Sequence, residues 1–172
     1  AVIDDNGPRE GQTIEALQKL KPYFDRKSGT VTVGNASQVT DGAGAFLIAS
    51  EKFVKKPNLN PLGYIVATSF TGVDPSRLGI GPAAAIPEAL TKVKMKLKDI
   101  QAVEINEAFA AQVIACTRAL SSKEFAKKHG YASGHVGDID PEILNVNGGA
   151  IALGHPVGTT GTRLILTMLK HL

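Results

Sequence analysis

The sequence predicts an α/β fold in which short strands and helices are joined by tight turns. Eighteen glycines among 172 residues favour a chain rich in such turns, and they follow no collagen-like period. A hydrophobic content of 43% is enough for the core of one ordinary domain. A strand-like run at 101–105 ends at Asn106, where a helical pattern begins. Polar residues at such strand ends are where α/β folds place ligand chemistry.

The first 58 residues are predicted to contain a loop, a helix, a strand and a second helix. Thr13 can cap a helix over 13–23, and the β-branched run at 30–33 predicts a strand. A second helix is expected at 41–53, and apolar residues on nearly every side of it predict that it is buried. Residues 57–61 form a linker, where we place the main domain boundary.

The remainder of the chain continues the alternation of strands and helices, with apolar residues at the spacing typical of each. The predicted strands are 62–71 and 101–105, and the predicted helices are 82–94, 107–120, 123–129 and 159–172.

Charge and cysteine content limit the function classes. The net charge of +3 is compatible with an anionic substrate but too weak to indicate nucleic acid. No apolar run is long enough to span a bilayer, and no signal peptide is visible. The single cysteine, Cys116, excludes an internal disulfide framework and suits a reducing compartment. It lies in an apolar run, so we interpret it as a small core residue. No pair of histidines has metal-ligand spacing, so no metal site is predicted.

The most informative stretch is 145–158, in which five of fourteen residues are glycine or proline. It places His155 at the start of the helix predicted at 159–172. A lone histidine is usually structural, but the glycines around this one allow a ligand to approach the backbone closely. Free N–H groups at a helix start also favour negative charge nearby.

Three motifs in this sequence resemble those of the thiolase family. Asn147-Gly148-Gly149 running into Gly154-His155-Pro156 resembles the histidine motif, and Asn106-Glu107-Ala108-Phe109-Ala110 resembles the asparagine motif. Gly34-Asn35-Ala36-Ser37 followed by Asp41-Gly42-Ala43 resembles the end of the half that bears the nucleophile. The motifs stand in the family's order, and the resemblance covers nearly the whole chain.

The resemblance implies an incomplete thiolase-like fold, a mixed sheet with helices on both faces. Residues 1–28 would end the loop domain that lies over coenzyme A. Residues 29–58 would be the last strand and helix of the N-terminal half, with the helix at 41–53 in a middle layer. Residues 59–172 would be the C-terminal half without its final strands. Thiolases also carry a nucleophilic cysteine upstream and a second cysteine near the end, and neither is present here. We therefore expect a thiolase cut short at both ends.

The resemblance also implies roles for individual residues. His155 would take the proton of the nucleophilic cysteine and donate a hydrogen bond to the thioester oxygen, while Asn106 would hold a water that supplies a second donor. The residues implied to contact acyl-CoA or CoA are Arg9, Ala36, Ser37, Phe109, Gly148 and Gly149.

Arg9 would contact the nucleotide end, Ser37 would face the pantetheine arm, and Phe109 would line the acyl pocket. The residues alone leave simpler interpretations open. Asn106 can be a helix cap, Ser37 a turn former, and Arg9 a solvated surface residue.

The activity implied is acyl transfer: thiolysis of a 3-oxoacyl-CoA, or Claisen condensation of acyl-CoA in reverse. The coenzyme A thioester is the substrate, and no further cofactor is expected. The parent protein would be a dimer or tetramer in a reducing intracellular compartment, whether cytoplasm, mitochondrion or peroxisome. This chain by itself is expected to be inactive, because both catalytic cysteines are absent.

Two alternatives remain. One is a ketoacyl-synthase-type condensing enzyme, although those generally have a second histidine where Asn106 stands. The other is a non-catalytic short form or a subunit that needs a partner chain.

Overall fold

The computed structural model describes residues 3–4, 7–55, 59–130 and 136–172. Its α-helices are α1 (Ile14–Gln18), α2 (Glu51–Val54), α3 (Gly81–Val93), α4 (Ala110–Ser121), α5 (Lys123–Lys128), α6 (Ala150–Leu153) and α7 (Val157–His171). Three short 3-10 segments lie at Pro75–Ile80, Leu97–Asp99 and Pro141–Ile143. None of the helices in the described ranges is long and apolar enough to cross a membrane.

The hydrophobic core lies in the second half of the chain, around α3 and α4. Cys116 and Leu120 on α4 are almost completely buried, and burying one leucine of this kind contributes roughly 1.5–3 kcal/mol. The core residues are Ala83, Leu97, Ile105, Val113, Cys116, Ala119, Leu120 and Ile139. This core supports the segment that ends in Ile105, directly before Asn106.

The later helices agree with their apolar periodicity, with small shifts at the ends. The helix predicted at 82–94 is α3, which ends where Lys94 adopts a left-handed conformation (φ 57°). The helix predicted at 159–172 is α7, and the helix predicted at 123–129 is α5. The helix predicted at 107–120 starts only at Ala110, because Phe109 has extended backbone and forms a bridge with Ala36.

The predicted strands do not assemble into a mixed sheet within the described residues. Only two isolated bridges occur there, Ala36 with Phe109 (antiparallel) and Val103 with Leu144 (parallel). The segment 62–71 is not a strand, and its side chains are largely exposed, for example Phe70 at 93%. A strand is defined by hydrogen bonds to a neighbouring strand, and no described residue pairs with 62–71 in this way.

The strand predicted at 30–33 is replaced by a turn that Asn35 closes. The Asn35 side chain accepts a hydrogen bond from Thr32 N (2.8 Å) and donates one to the carbonyl of Thr30 (3.0 Å). These bonds satisfy backbone groups that a neighbouring strand would otherwise pair.

The prediction of a buried helix at 41–53 is wrong for most of that range. Residues 41–50 have no helical structure, and Leu47 is fully exposed. The helix begins at Glu51 because Ser50 caps it, with its side chain accepting from Phe53 N at 3.3 Å. Gly42 and Gly44 also disfavour helix, each by about 1 kcal/mol relative to alanine.

The first helix is shorter than predicted. Thr13 caps it as expected, accepting from Ala16 N at 3.1 Å, but α1 ends at Gln18 and not at 23. Tyr23 N instead donates to the carbonyl of Val31. The predicted linker at 57–61 and the loop domain at 1–28 lie partly outside the described residues.

Candidate active site

A glycine turn presents His155 between two helices. Gly154 ends α6 with a positive φ of 93°, and a Cβ at this position would lie 2.5 Å from Oγ1 of Thr40. Only glycine satisfies both the conformation and the space. The next residues, His155 and Pro156, lead directly into α7. The half-buried imidazole is therefore held on a short and sharply defined connection.

Three groups surround His155. Its Nε2 lies 3.4 Å from Nδ2 of Asn106, and its Nδ1 lies 2.7 Å from Oγ1 of Thr160. Its backbone N–H donates to the carbonyl of Gln38 at 2.9 Å. Both ring nitrogens and the backbone are thus occupied, so the orientation of the ring is specified on every side.

Asn106 does not cap a helix. α4 begins at Ala110, with Phe109 as its N-cap and no side chain bonded to the free N–H groups. The Asn106 amide is half-buried and directed at His155. Its Oδ1 is buried and has no hydrogen-bond partner in the described part of the chain. The amide is therefore available for a group other than the backbone.

Residues 35–38 join the other two motifs. Ala36 forms the bridge with Phe109, Ser37 N donates to the carbonyl of Ala108 at 2.9 Å, and Ala110 N donates to the carbonyl of Asn35 at 2.9 Å.

The carbonyl of Gln38, one residue further on, receives the hydrogen bond from His155 N. The three motifs, which are far apart in sequence, thus meet at one place. The ring of Phe109 packs edge-to-face on Phe24 at a centroid distance of 5.8 Å.

Glu107 connects the asparagine motif to Gly149 and the start of α6, the short helix that precedes His155. Its carboxylate accepts from Nδ2 of Asn145 at 3.0 Å and from Ile151 N, at the start of α6, at 3.2 Å. It also occupies the space next to Gly149 where a Cβ would otherwise lie. A carboxylate at a helix start is electrostatically favourable, and here it anchors the short helix that precedes His155.

The side chain of Asn145 pairs with the backbone of Ile105, the residue before Asn106, as a neighbouring strand would. Its Oδ1 accepts from Ile105 N at 2.8 Å, and its Nδ2 donates to the carbonyl of Ile105 at 2.9 Å. Its backbone has a positive φ of 50°, a conformation that asparagine tolerates better than most residues. The pairing fixes the backbone from which Asn106 projects.

A buried charge pair lies next to this backbone. Arg163 on α7 is 3.5 Å from Glu104, whose side chain is only 6% exposed. Burial raises the pKa of the Glu104 carboxyl, and the Arg163 guanidinium offsets this only in part.

Comparison with known protein families shows to which family the chain belongs. Residues 59–172 match the model of the thiolase C-terminal domain, and residues 1–52 match the model of the thiolase N-terminal domain. The chain belongs to the thiolase family.

Individual thiolases agree with this assignment. The chain is 49% identical over 168 residues to the mitochondrial 3-ketoacyl-CoA thiolase of Homo sapiens, covering 98% of this chain and 38% of that protein. The crystal structure of the human mitochondrial enzyme in complex with CoA matches with a TM-score of 0.83 at 48% identity, covering 98% and 38% of the two chains. The dimeric peroxisomal thiolase of Saccharomyces cerevisiae matches with a TM-score of 0.80 at 42% identity, with the same coverage.

This thiolase chain thus spans about 38% of the length of these relatives. Its backbone follows the thiolase fold even where strand hydrogen bonds are not formed.

The thiolase chain has one thiol, and it lies apart from the motifs described above. Cys116 is completely buried, and its Sγ donates to the carbonyl of Gly79 at 3.2 Å. Burial raises the pKa of this thiol. A protonated, inaccessible thiol is unsuited to nucleophilic attack, in agreement with the interpretation of Cys116 as a core residue.

The predicted site residues differ in where the structure places them. His155, Asn106, Ser37, Ala36 and Phe109 come together, and Gly148 and Gly149 lie on the turn that leads to His155. Arg9 does not join them: it is exposed and makes no hydrogen bond or ion pair with any described residue.

Sequence reasoning missed four residues that hold the thiolase motifs together: Gln38, Glu107, Asn145 and Thr160. Glu107 and Asn145 lie inside stretches that the motifs singled out, so their position was a usable signal. Gln38 contributes only a backbone carbonyl, which no sequence pattern reveals.

Proposed function

We propose that this chain supplies the histidine and asparagine side of a thiolase active site, which transfers acyl groups between coenzyme A thioesters. The observation that carries the proposal is the 3.4 Å approach of Asn106 Nδ2 to His155 Nε2, two residues 49 positions apart in a member of the thiolase family. The reaction is thiolysis of a 3-oxoacyl-CoA or, in reverse, Claisen condensation of two acyl-CoA molecules.

His155 and Asn106 have complementary roles in this proposal. A neutral imidazole takes the proton of the nucleophilic thiol, and the protonated Nε2 then donates to the thioester oxygen as negative charge develops there. Asn106 holds a water that supplies a second donor, and its half-buried amide, with Oδ1 unbonded in the described residues, is suited to this. A fixed donor at a developing oxyanion is typically worth about 3–4 kcal/mol.

The substrate is a coenzyme A thioester, with no further cofactor. Ser37 faces the pantetheine arm, and Ala36 also contacts the CoA thioester. Phe109 lines the acyl pocket, and Gly148 and Gly149 shape the backbone below it. Arg9 contacts the nucleotide end. The exposed position of Arg9 leaves its guanidinium free to bind a phosphate, and the net charge of +3 favours an anionic ligand.

The nucleophile belongs to a part of the thiolase fold that has no counterpart in this chain. Cys116 cannot replace it, because the thiol is buried and its pKa is raised. We therefore propose that the isolated chain has no thiolase activity. The same reasoning assigns the mixed sheet and dimer or tetramer formation to the whole thiolase. It divides this chain into 1–28, 29–58 and 59–172. It also assigns the protein to a reducing compartment, which a single free thiol suits.

A non-catalytic role is the second candidate, and the lack of an accessible thiol favours it. In that case the chain is a short form, or a subunit that acts only with a partner chain. A ketoacyl-synthase-type activity is less well supported, since Asn106 stands where that group has a histidine. That activity would require a malonyl donor, which the assay below omits.

The test is to replace the matched stretch of the human mitochondrial 3-ketoacyl-CoA thiolase with this chain, giving a grafted enzyme that has both cysteines. Thiolysis of a 3-oxoacyl-CoA by the grafted enzyme is expected, and the isolated chain should show none. His155→Ala should lower kcat of the grafted enzyme by at least ~100-fold, the usual contribution of a general base.

His171→Ala is the matched control, because this histidine is exposed at the end of α7. It should leave kcat unchanged. A grafted enzyme that folds but is inactive would overturn the catalytic proposal and support the non-catalytic one. Turnover by the isolated chain would overturn the assignment of the nucleophile.

A further inference from the structure

We infer that Thr160 is a positioning residue that holds His155 in the tautomer with its proton on Nδ1. This leaves Nε2 unprotonated and able to accept a proton. The inference rests on the proposed function, since it concerns the same imidazole.

The contact between the two side chains is short and buried. Oγ1 of Thr160 lies 2.7 Å from Nδ1 of His155, and Thr160 is only 3% exposed. Thr160 lies in the first turn of α7, so its hydroxyl points back to the residue that enters the helix. A buried hydroxyl must form its hydrogen bonds within the protein, so the neighbouring protein groups influence which side chain donates in this bond.

The surroundings of the hydroxyl offer its proton an acceptor other than His155. Oγ1 of Thr160 is also 3.3 Å from the carbonyl of Pro156, which can only accept. A threonine hydroxyl has one proton. When that proton is given to Pro156, Oγ1 presents a lone pair to His155, and Nδ1 must carry a hydrogen.

The other side of the ring favours the same tautomer. Nδ2 of Asn106, a donor, faces Nε2 of His155. A bare Nε2 accepts from this amide, whereas an Nε2–H group would place two donors against each other. The two neighbours of His155 therefore agree, although they lie on different segments of the chain.

The tautomer suits both steps assigned to His155. The bare Nε2 takes the thiol proton, and the resulting imidazolium keeps its Nδ1–H bond to Thr160. The ring consequently does not need to turn between its role as base and its role as donor. Thr160 acts entirely through His155.

The test is the tautomer of His155 in the ¹⁵N-labelled chain, read from long-range ¹H–¹⁵N NMR spectra at pH 9, above the range in which histidines usually titrate. The His155 signals are identified by their loss in His155→Gln. The expected ratio of the Nδ1–H to the Nε2–H form is roughly 10 to 1, the effect of one or two net hydrogen bonds. Thr160→Val should reduce this ratio several-fold, and Thr160→Ser should restore it.

Thr159→Val is the matched control, because its hydroxyl bonds to the carbonyl of Gly42 at 2.8 Å and not to His155. It should leave the ratio unchanged. A majority of the Nε2–H form in the unmodified chain would overturn the inference, even if Thr160→Val fails to fold. An unchanged ratio in folded Thr160→Val would also overturn it. Because no activity is measured, an inactive grafted enzyme would contradict the proposed function and leave this result standing.

Discussion

The carboxylate of Glu107 fills the space beside Gly149 that the Cβ of any other residue would need. The same carboxylate bonds Asn145 and the start of α6, so one side chain links the asparagine motif to the turn before His155. The geometry of the site therefore depends on a glycine that contributes no side chain and on a glutamate that need not contact substrate.

Gly149→Ala should destabilise the chain. The new methyl group displaces the Glu107 carboxylate, and overpacking of this kind usually costs about 1–3 kcal/mol. The free energy of unfolding in urea measures the effect. Gly161→Ala is the control: position 161 is in the interior of α7 with nothing within 4 Å of a Cβ, so alanine should stabilise by up to about 1 kcal/mol. Equal effects of the two variants would contradict the account.

Glu107→Gln should also destabilise the chain, although it keeps the shape of the side chain. The amide has only one acceptor oxygen, so either Asn145 Nδ2 or Ile151 N loses its partner. An unsatisfied donor in such a place costs about 1–3 kcal/mol. In urea denaturation, the same change at exposed Glu142 should have almost no effect. A loss no larger than that of Glu142→Gln would show that Glu107 does not hold the turn.

Cys116 should be unreactive until the chain unfolds. The thiol is fully buried and burial raises its pKa, so the thiolate that reacts with alkylating reagents is scarce. Labelling by iodoacetamide at pH 8 should be at least ~10-fold slower in buffer than in denaturant. In the grafted enzyme, Cys116→Ala should leave thiolysis intact. Rapid labelling of the folded chain, or loss of thiolysis, would contradict a purely structural role.

The Glu104 carboxyl should make the chain less stable as the pH rises. Its pKa is raised from 4.5 by burial, so the folded chain holds this proton to a higher pH than the unfolded chain. The contribution to stability is complete below pH 4.5 and is lost as the pH rises through the raised pKa.

Glu104→Gln imitates the protonated carboxyl. Relative to this variant, the unmodified chain should lose stability between pH 4 and pH 8, as measured by urea denaturation across that range. Glu142→Gln should show no such trend. If Glu104→Gln is the less stable chain at pH 8, attraction to Arg163 outweighs burial and the account of this pair is wrong.

The sequence was most informative about helices, whose apolar periodicity lies within one segment of the chain. Buried positions such as Val113, Cys116 and Leu120 recur at helical spacing and correctly indicate the inner face of α4. Strands depend on neighbours that lie elsewhere, so the β-branched run at 62–71 could not show whether a partner strand exists. The helix predicted at 41–53 failed because apolar content was given more weight than the two glycines and the Ser50 cap.

The site likewise has features that the sequence indicates and features that only the structure reveals. The motifs predicted that His155 and Asn106 belong to one site, and in the structure their side chains lie 3.4 Å apart. Some of the bonds that fix the backbone around this pair run from side chain to backbone across about 40 residues, as between Asn145 and Ile105. Such bonds leave no periodic trace in the sequence, so they emerge only from the structure.

The most direct test of the account is a double-mutant cycle on Asn106 and His155 in the grafted enzyme, with kcat/KM for thiolysis as the readout. Each alanine substitution alone should lower kcat/KM by about 10²–10⁴-fold. If the two residues form one catalytic unit, the double variant should be little worse than the more damaging single variant. Fully multiplicative losses would show that Asn106 and His155 act independently and would contradict the central claim.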